Sequence, residues 1–191
     1  MRRKMQQLLL LTIISGLTFS FTTRLEKKAI KVSESTVLWK GYKVTGSHAG
    51  TIAMKSGELI FEGDKLTGGE VVIDMTSITV TDLSGDMKGK LEGHLKSDDF
   101  FGVATHETAK LVFTNVKSTG KNSYKVTGDL TIKNITNPIT FTMSVYGNKA
   151  NATLKVDRSK YDVRYGSPSF FNDLKDRAIY DEFDLVSDIE F

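Results

Sequence analysis

Residues 139–145 read Ile-Thr-Phe-Thr-Met-Ser-Val, so that Ile139, Phe141, Met143 and Val145 alternate with Thr140, Thr142 and Ser144. Successive side chains leave a strand on opposite sides, so a period of two marks an antiparallel strand with one dry and one wet face. The pattern spreads in both directions. Upstream, Tyr124, Val126, Leu130 and Ile132 alternate with Lys125, Thr127, Asp129, Thr131 and Lys133. Downstream, Ala150, Ala152, Leu154 and Val156 alternate with Asn151, Thr153, Lys155 and Asp157. Rougher runs occupy 37–46, 51–55, 58–62, 69–75, 109–116 and 179–190. Ser56-Gly57, Gly63-Asp64, Gly68-Gly69, Gly120–Ser123, Asn137-Pro138 and Gly147-Asn148 fall between runs as turn signals. Eight or nine strands joined mostly by short turns predict a mainly β domain, either an up-and-down antiparallel barrel or a sandwich.

Two stretches break the period. Leu83, Met87, Leu91 and Leu95 recur every four residues with Asp82 placed to cap them, which predicts one amphipathic helix over about 82–96. Gly85, Gly89 and Gly93 each weaken it by up to about 1 kcal/mol relative to alanine, so packing against the sheet must hold it. Residues 167–176, with Pro168 and Phe170-Phe171, read as a loop with one helical turn.

A chain of 191 residues holds one domain. Cysteine is absent, which excludes disulfide scaffolds, thiolate catalysis, cysteine-ligated metal centres and a lipid-modified N-terminal cysteine. The formal charge of +3 resides entirely in Arg2, Arg3 and Lys4, and no acidic residue precedes Glu26. Those cations head a short basic segment, and the apolar run 8–21 follows it, which is the pattern of a secretory leader. The run falls short of the roughly 20 apolar residues that span a bilayer. The expected organisation is a signal peptide at 1–20, a polar lead at 21–34 and the β domain at 35–191. Without the leader the chain is electrically neutral, a poor match for nucleic-acid phosphates.

Chemistry-bearing patterns are sparse. His48, His94 and His106 show no paired ligand spacing, so any metal site would have to be assembled by the fold. For His48 and His94 a structural hydrogen bond near a turn or helix end is expected; His106, in the polar stretch 104–108, reads as solvated. No nucleophile elbow and no phosphate-binding glycine motif occurs. Asp98-Asp99, followed by Phe100-Phe101, read as a capped turn that feeds two aromatics into the core. The inward parities instead supply Trp39, Ile52, Phe61, Ile73, Phe113, Leu130, Phe141, Met143 and Leu154. An eight-stranded barrel is just wide enough to be filled by such side chains or to hold one small ligand, and periodicity leaves both readings open.

Leu38-Trp39, Gly46-Ser47-His48-Ala49-Gly50, Ile73–Ile78, Leu91–Phe101, Gly128–Lys133 and Val156-Asp157-Arg158-Ser159 occur in the order seen in YceI-like proteins. Gly93–Phe101 is the most specific of these, and the resemblance covers 35–191. It implies a lipocalin-like antiparallel β-barrel of about eight strands with an accompanying helix. It also implies an elongated apolar pocket that holds a polyisoprenoid or another long-chain amphiphile, in a periplasmic or secreted protein. Three positions depart from the family pattern: His106-Glu107 replace a Tyr-Pro, Asn134 a frequent glycine, and Tyr161-Asp162 a Phe-Gly. The resemblance places His94 and Asp98 at a helix-to-strand corner and gives them no catalytic role.

On this reading Trp39, Ile52, Phe61, Ile73, Phe100, Phe113, Leu130, Phe141, Met143 and Leu154 grip a lipid tail, while Asp74, His94 and Arg158 meet its head group at the rim. The expected partner is a long-chain lipid, with no cofactor beyond it, no metal, no catalytic residue, no nucleic acid and no stable membrane insertion once the leader is gone; a homodimer is allowed. Two rivals remain. One is an enzyme acting on a lipid-linked substrate through His48, His94 and Asp98, the other an envelope stress or structural protein with a filled barrel. Export predicts a mature chain that begins close to Phe21. Intact-mass analysis of protein from the envelope fraction checks this, and retention of residues 1–20 would mean an anchored protein.

Overall fold

A computed structural model describes residues 24–191, so the leader expected at 1–20 lies outside the described residues. The alternating runs become β1 (Leu25–Ala29), β2 (Thr36–Lys43), β3 (Gly46–Glu62), β4 (Lys65–Val80), β5 (Thr108–Ser118), β6 (Ser123–Ile132), β7 (Ile135–Tyr146), β8 (Lys149–Asp157) and β9 (Ile179–Glu190). A single helix, α1 (Gly85–Lys96), stands between β4 and β5. Each strand from β2 to β9 pairs antiparallel with its sequence neighbour, and β9 returns to β2, closing an eight-stranded barrel. β1 is the extra strand. It extends the edge of β3 already used by β2: Gly46–Ile52 pair with β2, and Glu58–Glu62 with β1. Part of the expected polar lead is therefore strand, with Lys27 and Lys28 on a segment too charged to show a period.

Three expected turns lie inside strands. Ser56-Gly57 sits in the middle of β3, where the register against β4 shifts between Met54 and Ser56. The shift exchanges the faces of the strand, so Met54 is buried before it and Leu59 and Phe61 after it. One bulged strand thus reads as two short ones. Gly57 is required by space: a Cβ there would stand 2.8 Å from the Glu70 carbonyl oxygen on the paired strand. Gly68-Gly69 lies within β4 and Asn137-Pro138 within β7. Pro138 is tolerated because β8 joins β7 only from Thr142 to Tyr146, leaving the earlier part of β7 an open edge on that side. The β6–β7 turn is made by Lys133 and Asn134, with φ of 50° and 62°. A two-residue hairpin needs positive φ at both positions, and asparagine accepts it better than most side chains.

α1 begins three residues later than expected, and Asp82 does not cap it. Ser84 is the N-cap residue and makes no side-chain cap bond. The Asp82 carboxylate accepts instead from the Ala49 amide at 3.2 Å and lies 2.9 Å from His48 Nδ1. The leucine stripe does not form a buried face, because no residue of α1 is fully buried and Met87 is exposed. The helix is held to the barrel by Glu92 Oε1, which accepts from the Val80 amide at 2.9 Å, by Leu95, which packs on the barrel core, and by ring contacts of His94.

The barrel ends differ. At the end carrying the β3–β4, β5–β6 and β7–β8 turns, the Phe61 and Phe191 rings stack at 5.3 Å, with Lys28 Nζ 5.0 and 5.8 Å from their centroids. The other end is covered by α1 and by the 158–178 connection. Side-chain parity in between is open to test. Met143, 1% exposed, points inward, whereas Thr142 faces solvent between Lys125 and Thr153. Met143→Glu must desolvate a charge and is expected to cost about 3–5 kcal/mol or unfold the domain. Thr142→Glu should stay within about 0.5 kcal/mol of the parent. Thermal melts followed by circular dichroism check both, and the opposite order would place the strand register one residue off.

Candidate apolar lumen and its polar corner

The lumen holds two cavities, of about 140 and 80 Å³. The larger lies at the covered end. Trp39, Ile52 and Leu185 form its wall, and Leu95, Phe100 and Phe101 come from α1 and the turn after it. The smaller lies deeper, against Met54, Phe113, Phe141, Met143, Leu154 and Ile189. Val37, Ile73, Ala109, Leu130 and Leu185 line both, so the two spaces are stacked along one axis.

Trp39 owes its place to a glycine. It lies opposite Gly50 in the β2–β3 register, and a Cβ on Gly50 would stand 2.7 Å from the indole and 1.8 Å from the Thr79 carbonyl oxygen. Gly50 therefore lets the indole lie flat on β3 and lets β4 close beside it. The indole nitrogen donates to the Thr51 carbonyl at 3.3 Å, which removes the cost of burying an unpaired N–H.

One strong charge faces this space. Arg158, only 2% exposed, lines the larger cavity from a 3-10 turn, Arg158–Tyr161, that follows β8. Its Nε donates to the Tyr180 carbonyl at 3.2 Å, Nη1 to Val163 at 2.8 Å and Nη2 to Ile179 at 2.8 Å. The guanidinium carbon sits 5.2 Å from the Phe100 ring centroid, and Nη2 is 3.6 Å from Asp181 Oδ1. Burial pulls the guanidinium below its ordinary value, while Asp181 and Asp157 act to hold it charged. An aromatic relay continues outward, with His94 edge-on to Phe100 at 5.5 Å and to Tyr165 at 4.3 Å.

Of the expected tail contacts, Trp39, Ile52, Ile73, Phe100 and Leu130 line the larger cavity, and Ile73, Phe113, Leu130, Phe141, Met143 and Leu154 the smaller. Phe61 lines neither, because it is spent on the stack with Phe191. Of the expected rim, only Arg158 borders a cavity. Asp74 has the outward parity between Ile73 and Met75 and closes a local turn, accepting from the Thr76 amide at 3.0 Å and hydroxyl at 2.6 Å. His94 is sandwiched between rings, and its Nε2 is buried without a hydrogen-bond partner. His106, expected in solvent, is half-buried. His48 is engaged by Asp82, while Asp98 is exposed beside Gly102, so the three residues of the enzyme alternative have different surroundings. Phe183 and Leu185 went unrecognised as lining residues, although the 179–190 run carries them on one parity. The same parity holds an acid, Asp181, where an apolar residue is expected, and that exception was the available signal.

A closed antiparallel barrel around an apolar lumen defines a lipocalin-like binding fold. The chain belongs to the YceI-like family, whose domain model matches residues 29–191. Curated relatives include the UPF0312 proteins of Azotobacter vinelandii, 30% identical over 90 residues (47% of this chain, 45% of the relative), and Pseudomonas fluorescens, 48% identical over 54 residues (28% of each). The chain spans about half the length, or less, of the curated relatives it matches. Among solved structures, Burkholderia cenocepacia BcnA shares the fold with a TM-score of 0.65 at 22% identity, over 84% of this chain and 98% of that one. The Campylobacter jejuni YCEI protein shares it at 0.52 and 18%, over 66% and 72%.

The corner around Arg158 has a pH signature. Tyr161, 2% exposed in the same turn, is pushed up to about 12, first by burial and then by Asp157. Its neutral form is favoured in the folded state, so the associated stability is complete below pH about 10 and is lost as pH rises towards 12. At about 1.4 kcal/mol per pH unit the loss is on the order of 2–3 kcal/mol. Melts between pH 9 and 12 should fall more steeply for the parent than for Tyr161→Phe. Parallel curves would show that the phenol titrates as it does in water.

Proposed function

We propose that the protein is an extracytoplasmic carrier that holds one long apolar chain, of polyisoprenoid or fatty type, along the barrel axis. The observation that carries this reading is the stacking of two apolar cavities through the shared residues Val37, Ile73, Ala109, Leu130 and Leu185. Burial is the driving force. Each buried methylene contributes about 0.8 kcal/mol, while association costs roughly 4–15 kcal/mol of lost freedom. Offsetting that cost takes roughly 5–19 buried carbons, which favours long ligands over small apolar solutes. The basic segment and apolar run at the N-terminus support export, since a lipid needs a carrier where it must cross water.

Trp39 is the chain's single tryptophan and lies on the wall of the larger cavity, so its emission reports occupancy. Titration of purified mature protein with farnesol should give a saturable change in Trp39 fluorescence. Ile73→Phe, placed where the cavities meet, should weaken farnesol about tenfold and octanol much less, because only the longer chain passes that point. Equal effects on the two alcohols would mean that the cavities act separately. No saturable change with any long-chain alcohol, together with a lipid-free organic extract of native protein, would overturn the carrier reading.

A further inference from the structure

The connection between β8 and β9 carries an apolar finger that the barrel leaves uncovered. Phe170 and Phe171 expose 40% and 49% of their surface, and Tyr165 and Tyr180 half of theirs. Adjacent phenylalanines in a loose loop would fold back onto the nearest apolar surface, but here a built turn holds them out. Its anchor is the fully buried Ser167. The Ser167 carbonyl accepts from the Phe170 and Phe171 amides at 3.1 and 3.0 Å, and its hydroxyl accepts from the Ser169 amide at 3.2 Å. The Ser169 hydroxyl donates to Asp181 at 2.6 Å and the Ile179 amide to the Gly166 carbonyl at 2.8 Å, so the turn is stitched to the first residues of β9. Between Asp162 and Asp173 the sole charge is Arg164, whose guanidinium carbon stands 4.9 Å from the Phe170 ring centroid. An apolar tip with aromatic flanks and a cation at its base suits a lipid–water boundary, where rings enter and the charged head stays wet.

We propose that residues 164–171 form a membrane-docking finger, which sets Phe170 and Phe171 into the head-group boundary of a phospholipid bilayer and brings the covered end of the barrel against the lipid. The proposal rests on the carrier reading above and adds the surface with which the ligand is exchanged. Position selects the bilayer as the occupant. Ile179, bonded to the finger through Gly166, lines the larger cavity. Tyr165 leads inward as well, edge-on to His94 at 4.3 Å, and His94 is edge-on at 5.5 Å to Phe100 on the cavity wall. A chain that moved between a bilayer and the lumen through open water would expose its methylenes one after another, each at a hydrophobic cost. Docking at this end keeps the chain beside aromatic surface instead. A protein partner would cover the finger equally well but would supply no ligand. Two phenyl rings make a shallow anchor, far weaker than a spanning helix and reversible, as a carrier that must leave the surface requires. Because the single cation of the finger is itself bonded to Asp162, attachment comes from burial of the rings rather than from charge.

Flotation with phosphatidylcholine vesicles at about 1 mM lipid tests this, since even a shallow anchor partitions measurably at that excess. The purified mature protein should float. Raising sodium chloride to about 0.5 M, which shortens the Debye length to a few ångströms, should leave the bound fraction within about twofold. Phe170→Ser combined with Phe171→Ser should lower the partition coefficient about tenfold, because both inserted rings are lost. The thermal midpoint and the farnesol titration in solution should stay as in the parent. Leu38→Ser combined with Val186→Ser changes an exposed apolar pair that faces across β2 and β9, and this protein should float like the parent. Phe171→Ser alone should still weaken flotation severalfold, which keeps the test decisive if the double variant does not fold. A parent that binds farnesol but does not float would overturn the finger and leave the carrier reading standing. So would flotation that salt abolishes, flotation that the phenylalanine changes leave intact, or equal loss from the Leu38 and Val186 changes. A parent that does not float but dimerises, with the dimer lost in the phenylalanine variant, would assign the surface to a second copy and overturn the proposal. Flotation lost with the phenylalanines, in a protein that binds no farnesol, would uphold the finger and overturn the carrier reading.

Discussion

An eight-stranded sheet leaves two rows of unpaired amides and carbonyls unless its edges meet, and here they meet along β3 and β4, from Gly50 opposite Val80 to Glu62 opposite Lys65. Closure pairs the strands that would otherwise form the sheet's long open edges, although the first part of β7 stays unpaired on its β8 side. It also fixes which side of every strand faces inward, because the parity of each follows from its neighbour. Gly50 is where this seam is tightest, with the Thr79 carbonyl on one side and the Trp39 ring on the other. The bulges of β3 serve the same closure. They bend a 17-residue strand so that its first half belongs to the cavity wall and its second half to the plugged end.

A buried guanidinium is an expensive group, and on its own its ion pair with Asp181 would not repay the loss of hydration. What offsets the cost is the irregular connection between β8 and β9. That segment has little regular structure to satisfy its carbonyls, and Arg158 ties it to the sheet by giving hydrogen bonds to Val163 within it and to Ile179 and Tyr180 at the start of β9. The side chain that holds the loop in place also faces the cavity. Folding of the mouth and its polarity are therefore governed by one residue, and Phe100 couples both to α1 through the ring face on which the guanidinium rests.

The architecture was legible because solvent on one side and a lumen on the other impose a strict period of two; β6 and β8 follow it and their boundaries were read closely, whereas β7, read from Ile139, begins at Ile135 across the expected Asn137-Pro138 turn. β3 and β4 were read in fragments, since a bulge inverts parity and glycines at close approaches look like turns. β1 was unreadable because it is a short, charged edge strand whose only partner lies some 30 residues away in sequence. Most cavity-lining residues were legible for the same reason as the strands: an inward apolar residue at mid-barrel borders the cavity. The rim was read poorly. Asp74 and His94 are polar residues with strictly local or aromatic partners, and nothing in their spacing tells such partners from a ligand.

The asymmetry of the two ends gives the lumen a direction. At one end Phe61, Phe191 and Lys28 form an apolar plug with a cation over it, and the cavities stop short of it. At the other, apolar walls run up to Arg158 at the start of the 158–178 connection. A molecule with one polar end gains nothing by entering head first, because its polar group would be stripped of water deep among Met143, Phe141 and Leu154 with no partner to receive it. Tail-first entry buries the same methylenes and leaves the polar end near Arg158, the one charged residue that lines the larger cavity among the described residues. The distance from plug to corner then acts as a ruler. On the proposed carrier reading, tails shorter than the lumen leave wall atoms without contacts and longer ones force the head group past the corner, so one wall would select for length.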